Sequence, residues 1–193
     1  MAVFRSFNSA LWELFCGNLL LLATCAFYIA WWSIAFWPGA KGGSALAGVF
    51  LPLAALAGLA AIVATGLGVQ GLARSGARSP TLPVIVGAAV FYLIALAVTK
   101  LAFQRELTSE LLVMSVWAAI EVLAILALRA SGRFGPLKSA TLLALVGVAT
   151  AIGLVCYVLY YRLAPGPRFW DGLIPLAADA LVAAAFLGTM TLS

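Results

Sequence analysis

The sequence has no histidine, and charged residues of either sign are scarce. Of its 193 residues, 65% are hydrophobic and only 9% are charged, whereas a soluble domain carries about 25% charged residues. A surface in contact with water cannot be built from so few charged groups. The composition therefore predicts an all-α integral membrane protein, because helices are the open-chain structures that satisfy every backbone group in lipid.

The absence of histidine excludes several functions that are common among helical membrane proteins. Histidine-ligated haem, histidine metal centres and serine–histidine intramembrane proteases all need an imidazole as ligand or base. The chain also has only six acidic residues. Asp171-Gly172 is followed by one further acid, Asp179, where CDP-alcohol phosphotransferases need several aspartates in a fixed run. We therefore expect no metal, no cofactor and no enzymatic activity.

Cysteine and basic residues exclude two further classes. Cys16, Cys25 and Cys156 lie inside apolar runs without a C-x-x-C pair, so neither a disulfide framework nor a redox motif is predicted. The net charge of +5 comes from basic residues between apolar runs, where membrane proteins keep them for topology and headgroup contact. We expect the lipid bilayer as a partner, and not nucleic acid.

Six apolar runs are each long enough to cross a bilayer as a helix, which takes about 20 residues. The first is too long for the core of a signal peptide, so we expect a retained helix. The breaks between the runs are short and rich in Gly, Pro and Ser, which favours antiparallel neighbours. The sequence predicts a six-helix bundle forming one transmembrane domain over 1–193. Its helices are expected at 11–37, 45–70, 82–103, 108–130, 138–162 and 172–191.

Two patterns bear on topology. "LPVIVGAAVFYL" in the third run resembles "IPLAADALVAAAFL" in the sixth. The match is compatible with a 3+3 inverted repeat, as in many transporters, and also with chance in an Ala- and Leu-rich chain. The loops at 71–81 and 130–138 are basic without any acid. The positive-inside rule then favours both termini in the cytoplasm, with the protein in a bacterial-type inner membrane.

The first run carries three doublets, each seven residues after the last: Gly17-Asn18, Thr24-Cys25 and Trp31-Trp32. Seven residues make almost two helical turns, so the doublets share one face. In lipid the Asn18 amide would be unsatisfied, which costs several kcal/mol. This face must therefore contact protein or a cavity, and it fits both a packing seam between helices and the wall of a pocket.

A second face of the same helix holds Ala26 and Ala30 in A-x-x-x-A spacing, which permits close approach of another helix. We interpret these alanines, with Asn18 and Cys25, as helix-packing or partner-docking residues. In size, helix number and this alanine pair, the chain resembles the substrate-binding S-component of energy-coupling-factor vitamin transporters. That family docks on its transmembrane partner through an Ala-x-x-x-Ala face of the first helix. The resemblance implies a solute-binding subunit with energising partner subunits.

Two acids, Glu121 and Asp179, lie inside apolar runs. An ionised acid at bilayer depth costs at least about 2.5 kcal/mol, so each should face inward and find a partner. Such acids are either functional or part of an internal ion pair or hydrogen bond. Aromatic and charged residues gather at the outer ends of the first, fifth and sixth helices. The ligand site predicted at that level consists of Asp179, Trp31, Trp32, Lys100, Tyr157, Tyr160, Arg162 and Trp170.

These features favour a small-solute transport or binding protein with its site toward the outer face. Its expected partners are the bilayer, a small-molecule solute and energising or other membrane subunits. Two alternatives stay open. One is a non-catalytic accessory or assembly subunit of a membrane complex, in which both acids are structural. The other is an oligomeric channel with Glu121 as a pore acid.

Overall fold

In the computed structural model, the described residues are 9–37, 47–74, 76, 78–103, 108–163 and 169–191, and they form helices and turns without a strand. Six helices follow one another, and each is long enough and apolar enough to cross a membrane. This confirms the predicted helical class and the predicted number of helices of membrane-spanning length and composition. The helices are α1 Ser9–Phe36, α2 Ala47–Arg74, α3 Thr81–Phe103, α4 Thr108–Ala130, α5 Pro136–Leu163 and α6 Phe169–Thr191.

The observed helix bounds differ most from the predicted ones at two ends. α2 continues to Arg74 instead of ending at 70, and its added turn buries Leu72. α6 begins at Phe169 instead of 172, and Asp171 lies in its first turn. An acid in this position is stabilised by the positive end of the helix dipole. The extension of α2 therefore follows from the packing of Leu72, and that of α6 from the acid in its first turn.

α4 is the most enclosed helix of the bundle. Of its apolar stretch 56% is buried, compared with 11% for α3. α4 packs against α2, α3 and α5 and also contacts α1, while α6 lies between α1 and α5. A polar side chain on the inner face of α4 is therefore surrounded by protein.

α1 and α2 pack closely through residues with small side chains. A Cβ added to Gly68 of α2 would lie 2.8 Å from the Ala10 carbonyl oxygen and 2.9 Å from the Leu14 amide nitrogen of α1. Both neighbours are backbone atoms, so the two helix backbones approach as closely as glycine permits.

Gly17 and Thr24, the first residues of the first two doublets of α1, face the contact between α1 and α2. A Cβ on Gly17 would lie 3.0 Å from the Thr65 amide nitrogen of α2. Further along, a Cβ on Gly58 would lie 3.6 Å from Thr24 Cγ2. Gly17 and Thr24 are thus packing residues between α1 and α2.

Candidate functional site

A cavity of about 230 Å³ lies between α1, α4, α5 and α6. It occupies the end of the bundle where α1 and α5 finish and α4 and α6 begin. Its lining is mostly aromatic and apolar, with two carboxylates. The lining residues are Tyr28, Trp31, Trp32, Phe36, Val113, Met114, Tyr157, Asp171, Gly172, Leu176 and Asp179.

Four rings of α1 form one side of the cavity, and we call them the aromatic wall: Tyr28, Trp31, Trp32 and Phe36. Tyr28, Trp32 and Phe36 follow each other at four-residue spacing, which places them on one helix face. The ring centroids of Tyr28 and Trp31 are 5.1 Å apart, and those of Trp32 and Phe36 are 4.3 Å apart. Rings packed in tilted arrangements hold one another in position.

Trp32 is fixed against α6 by its ring and by its indole N–H. Nε1 donates a hydrogen bond to the Phe169 carbonyl oxygen at 2.8 Å. The ring lies directly on Gly172, where an added Cβ would overlap it. Glycine at this position therefore lets the indole reach the α6 backbone and close one side of the cavity.

The described charges in the cavity lining are all negative. Asp171 and Asp179 are eight residues apart on α6, a little over two helical turns, and both line the cavity. Aromatic rings present a negative face, which attracts cations. Two carboxylates beside the aromatic wall therefore suit a small organic cation, whose apolar part contacts the rings.

The structure brings together four of the residues predicted for the site and separates others. Trp31, Trp32, Tyr157 and Asp179 all line the cavity. Lys100 and Trp170 are exposed and are not among its lining residues. Two predicted residues belong to α5, but their side chains lie outside the described part of the chain: Tyr160 and Arg162.

Sequence reasoning missed Tyr28, Phe36 and Asp171 as lining residues. The signal for the first two was present, since they lie four residues on either side of Trp32. The seven-residue spacing of the doublets does not include either position. Asp171 precedes the predicted start of the sixth helix at 172, whereas in the structure it belongs to the first turn of α6.

A buried polar pair lies deeper in the bundle. Asn18 of α1 and Glu121 of α4 are both 0% exposed. With its nitrogen turned toward the carboxyl, the Asn18 amide donates to Oε1 and Oε2 of Glu121 at 3.1 Å each. Cys25, one doublet further along α1, is also buried. The second residues of the doublets therefore face the bundle interior, and Glu121 has a partner there.

The alanine face of α1 is less uniform than its spacing suggests. Ala26 is exposed on the outside of the bundle, while Ala30 is half-buried.

Within the described ranges, no group of three or more Cys, Asp or Glu residues is placed to hold a metal ion. No protein-family model, curated protein or solved structure matches the chain.

Proposed function

We propose that the chain is a multi-pass membrane protein that binds a small organic cation in this cavity, as a transporter or as the solute-binding component of one. The observation that carries the proposal is the combination of two carboxylates and the aromatic wall in one cavity. Polar groups converging in an otherwise apolar cavity are typical of small-molecule sites. Desolvation by the rings strengthens the attraction between a bound cation and the acids.

The outer surface of the bundle supports the membrane part of the proposal. Large apolar side chains on α3 are widely exposed, such as Leu82 at 73% and Leu101 at 82%. A soluble monomer does not expose apolar surface on this scale, and lipid is the solvent that fits it. We place the protein in a bacterial-type inner membrane with both termini in the cytoplasm, so that the cavity opens toward the outer face. We also propose that the first three and the last three helices are related as a 3+3 inverted repeat.

One prediction tests the cation site. Benzylamine and choline should raise the free energy of unfolding of the purified protein, whereas their uncharged counterparts, benzyl alcohol and 3,3-dimethylbutanol, should not. At a concentration of 100 times Kd the stabilisation amounts to about 2.7 kcal/mol. Thermal unfolding in detergent, followed at several ligand concentrations, measures it.

Matched variants show whether the stabilisation by cations arises in the cavity. Asp179→Asn should abolish the stabilisation by cations, because it removes one of the two carboxylates of the cavity. Glu13→Gln neutralises an acid near the other end of the bundle, and it should keep the full response. Equal stabilisation by charged and uncharged ligands, or a full response in Asp179→Asn, would contradict the proposal.

The position of Glu121 favours the cavity over an oligomeric channel. A pore formed between subunits needs its acid on the outer surface of each chain, whereas Glu121 is fully buried within one chain. Uptake of labelled choline by proteoliposomes separates the other possibilities. A self-contained transporter moves choline alone, a solute-binding component binds it without uptake, and an accessory subunit does neither.

A further inference from the structure

We infer that Glu121 is a proton-binding site in the middle of the bundle, and that a cation entering the cavity displaces its proton. The coupling to a cation rests on the proposed function, whereas the proton site stands on the geometry around Glu121. The step is a simple acid dissociation: the carboxyl O–H bond breaks, the proton leaves, and the electron pair stays on the carboxylate.

Two orientations of the Asn18 amide fit the same position of its side chain, and they differ in the atom that faces Glu121. In one orientation Nδ2 donates to the Leu14 carbonyl oxygen at 3.3 Å. The amide oxygen then faces the Glu121 oxygens, and two acceptors form a hydrogen bond only if the carboxyl carries a proton. In the swapped orientation Nδ2 donates to both carboxyl oxygens at 3.1 Å, which suits the ionised carboxylate. Rotation of one amide therefore accommodates the gain or loss of a proton.

In the part of the chain that the structure describes, two buried polar atoms, one on α2 and one on α4, are unsatisfied. Two buried side-chain atoms lack a hydrogen-bond partner among the described residues, Thr65 Oγ1 and Trp117 Nε1. Thr65 contacts Gly17, next to Asn18, and Trp117 lies one turn before Glu121 on the same face of α4. Buried polar groups without partners are uncommon in proteins and call for an explanation. The unpartnered Trp117 N–H, one turn from Glu121, is a spare donor of the kind that a site with two protonation states requires.

Asp179 connects this site to the cavity. Asp179 and Glu121 lie within electrostatic range of each other, and Cys25 of α1 is within range of both. Among the other titratable residues of α2, α3 and α5 whose side chains the structure describes, Tyr157 lines the cavity together with Asp179. The rest are Arg74, Tyr92, Lys100, Lys138 and Cys156, and the three charged ones lie near helix ends.

Two neighbouring carboxylates in a medium of low dielectric constant repel each other strongly. A cation bound at Asp179 compensates one of the two charges, so Glu121 can then be ionised as well. Binding of the cation therefore favours release of the proton, and by linkage protonation of Glu121 favours release of the cation. In a transporter this exchange would drive the cation in one direction and the proton in the other.

Two measurements test the inference. The first is the proton count when benzylamine is added to the purified protein in weakly buffered solution with a pH-sensitive dye. We expect about one proton released per bound cation, as the linkage requires, in wild type and Glu13→Gln, and none in Glu121→Gln. The second is infrared spectroscopy across the pH range in which the protein stays folded. The C=O band of a protonated buried carboxyl should titrate, disappear in Glu121→Gln and change frequency in Glu121→Asp.

The outcomes separate this inference from the proposed function. If benzylamine stabilises the protein but releases no proton, or releases as many from Glu121→Gln, the inference is wrong and the cation site stands. If benzylamine does not bind, the proposed function fails, and the infrared band alone decides. A band that titrates and responds to both Glu121 variants then supports the proton site, whereas the absence of such a band overturns it.

Discussion

Asn18→Leu is expected to lower the free energy of unfolding by about 1–3 kcal/mol, the cost of leaving a buried polar group without its partner. Both Asn18 and Glu121 are fully buried, so water cannot replace the lost amide. Leucine is similar to asparagine in size, so the change removes the hydrogen bonds without opening a large cavity. Unfolding in mixed micelles by titration with a denaturing detergent measures the effect.

A double-mutant cycle shows whether the effect belongs to the pair. Glu121→Met alone should also destabilise the protein, because the Asn18 amide then faces an apolar side chain and keeps only its hydrogen bond to the Leu14 carbonyl oxygen. The double variant should be more stable than the sum of the single losses, with a coupling energy of about 0.5–3 kcal/mol, since both partners are removed together. Strictly additive losses would show that Asn18 and Glu121 do not interact.

Gly68→Ala is expected to lower the free energy of unfolding by about 1–3 kcal/mol through overpacking. The new Cβ would lie 2.8 Å from the Ala10 carbonyl oxygen and 2.9 Å from the Leu14 amide nitrogen. Both are backbone atoms and cannot rotate away, so α1 must separate from α2. The same unfolding assay applies, and disulfide crosslinking between α1 and α2 would report the separation directly.

Gly66→Ala is the matched control, two residues earlier on the same helix. A Cβ at Gly66 would meet nothing within 4 Å. Alanine there should leave stability unchanged or raise it by up to about 1 kcal/mol, the helix-propensity difference between the two residues. Equal losses in the two variants would contradict the close approach of α1 and α2 at Gly68.

The helices were predictable because a single physical requirement determines them. Apolar runs of bilayer length must satisfy their own backbone hydrogen bonds, and Gly, Pro and Ser mark where the runs end. The partners of each helix face were not predictable in the same way. Successive residues differ by about 100° around a helix, so Gly17 faces Thr65 of α2 while its neighbour Asn18 faces Glu121 of α4. Nothing in the spacing along the chain specifies that Asn18 and Glu121 meet.

For the residues of the candidate site, too, depth in the membrane could be predicted from the sequence, whereas direction around the helix axis could not. The chemistry of their side chains and their level in the bilayer predict Trp32 and Asp179 for the site, and both line the cavity. The prediction for Lys100 rests on its level alone. Its helix, α3, packs against α4, and its side chain is exposed away from the cavity lining. Depth in the membrane can be estimated from sequence, whereas direction around the helix axis depends on packing.

The most direct test of the central claim is to locate a bound cation on the chain. A photoreactive diazirine derivative of benzylamine, irradiated with the purified protein, should label the segment of α1 from Tyr28 to Phe36. Excess benzylamine should prevent the labelling, benzyl alcohol should not, and Asp179→Asn should abolish it. Labelling that falls mainly on the exposed face of α3, or that excess benzylamine leaves unchanged, would contradict a cation site in the cavity.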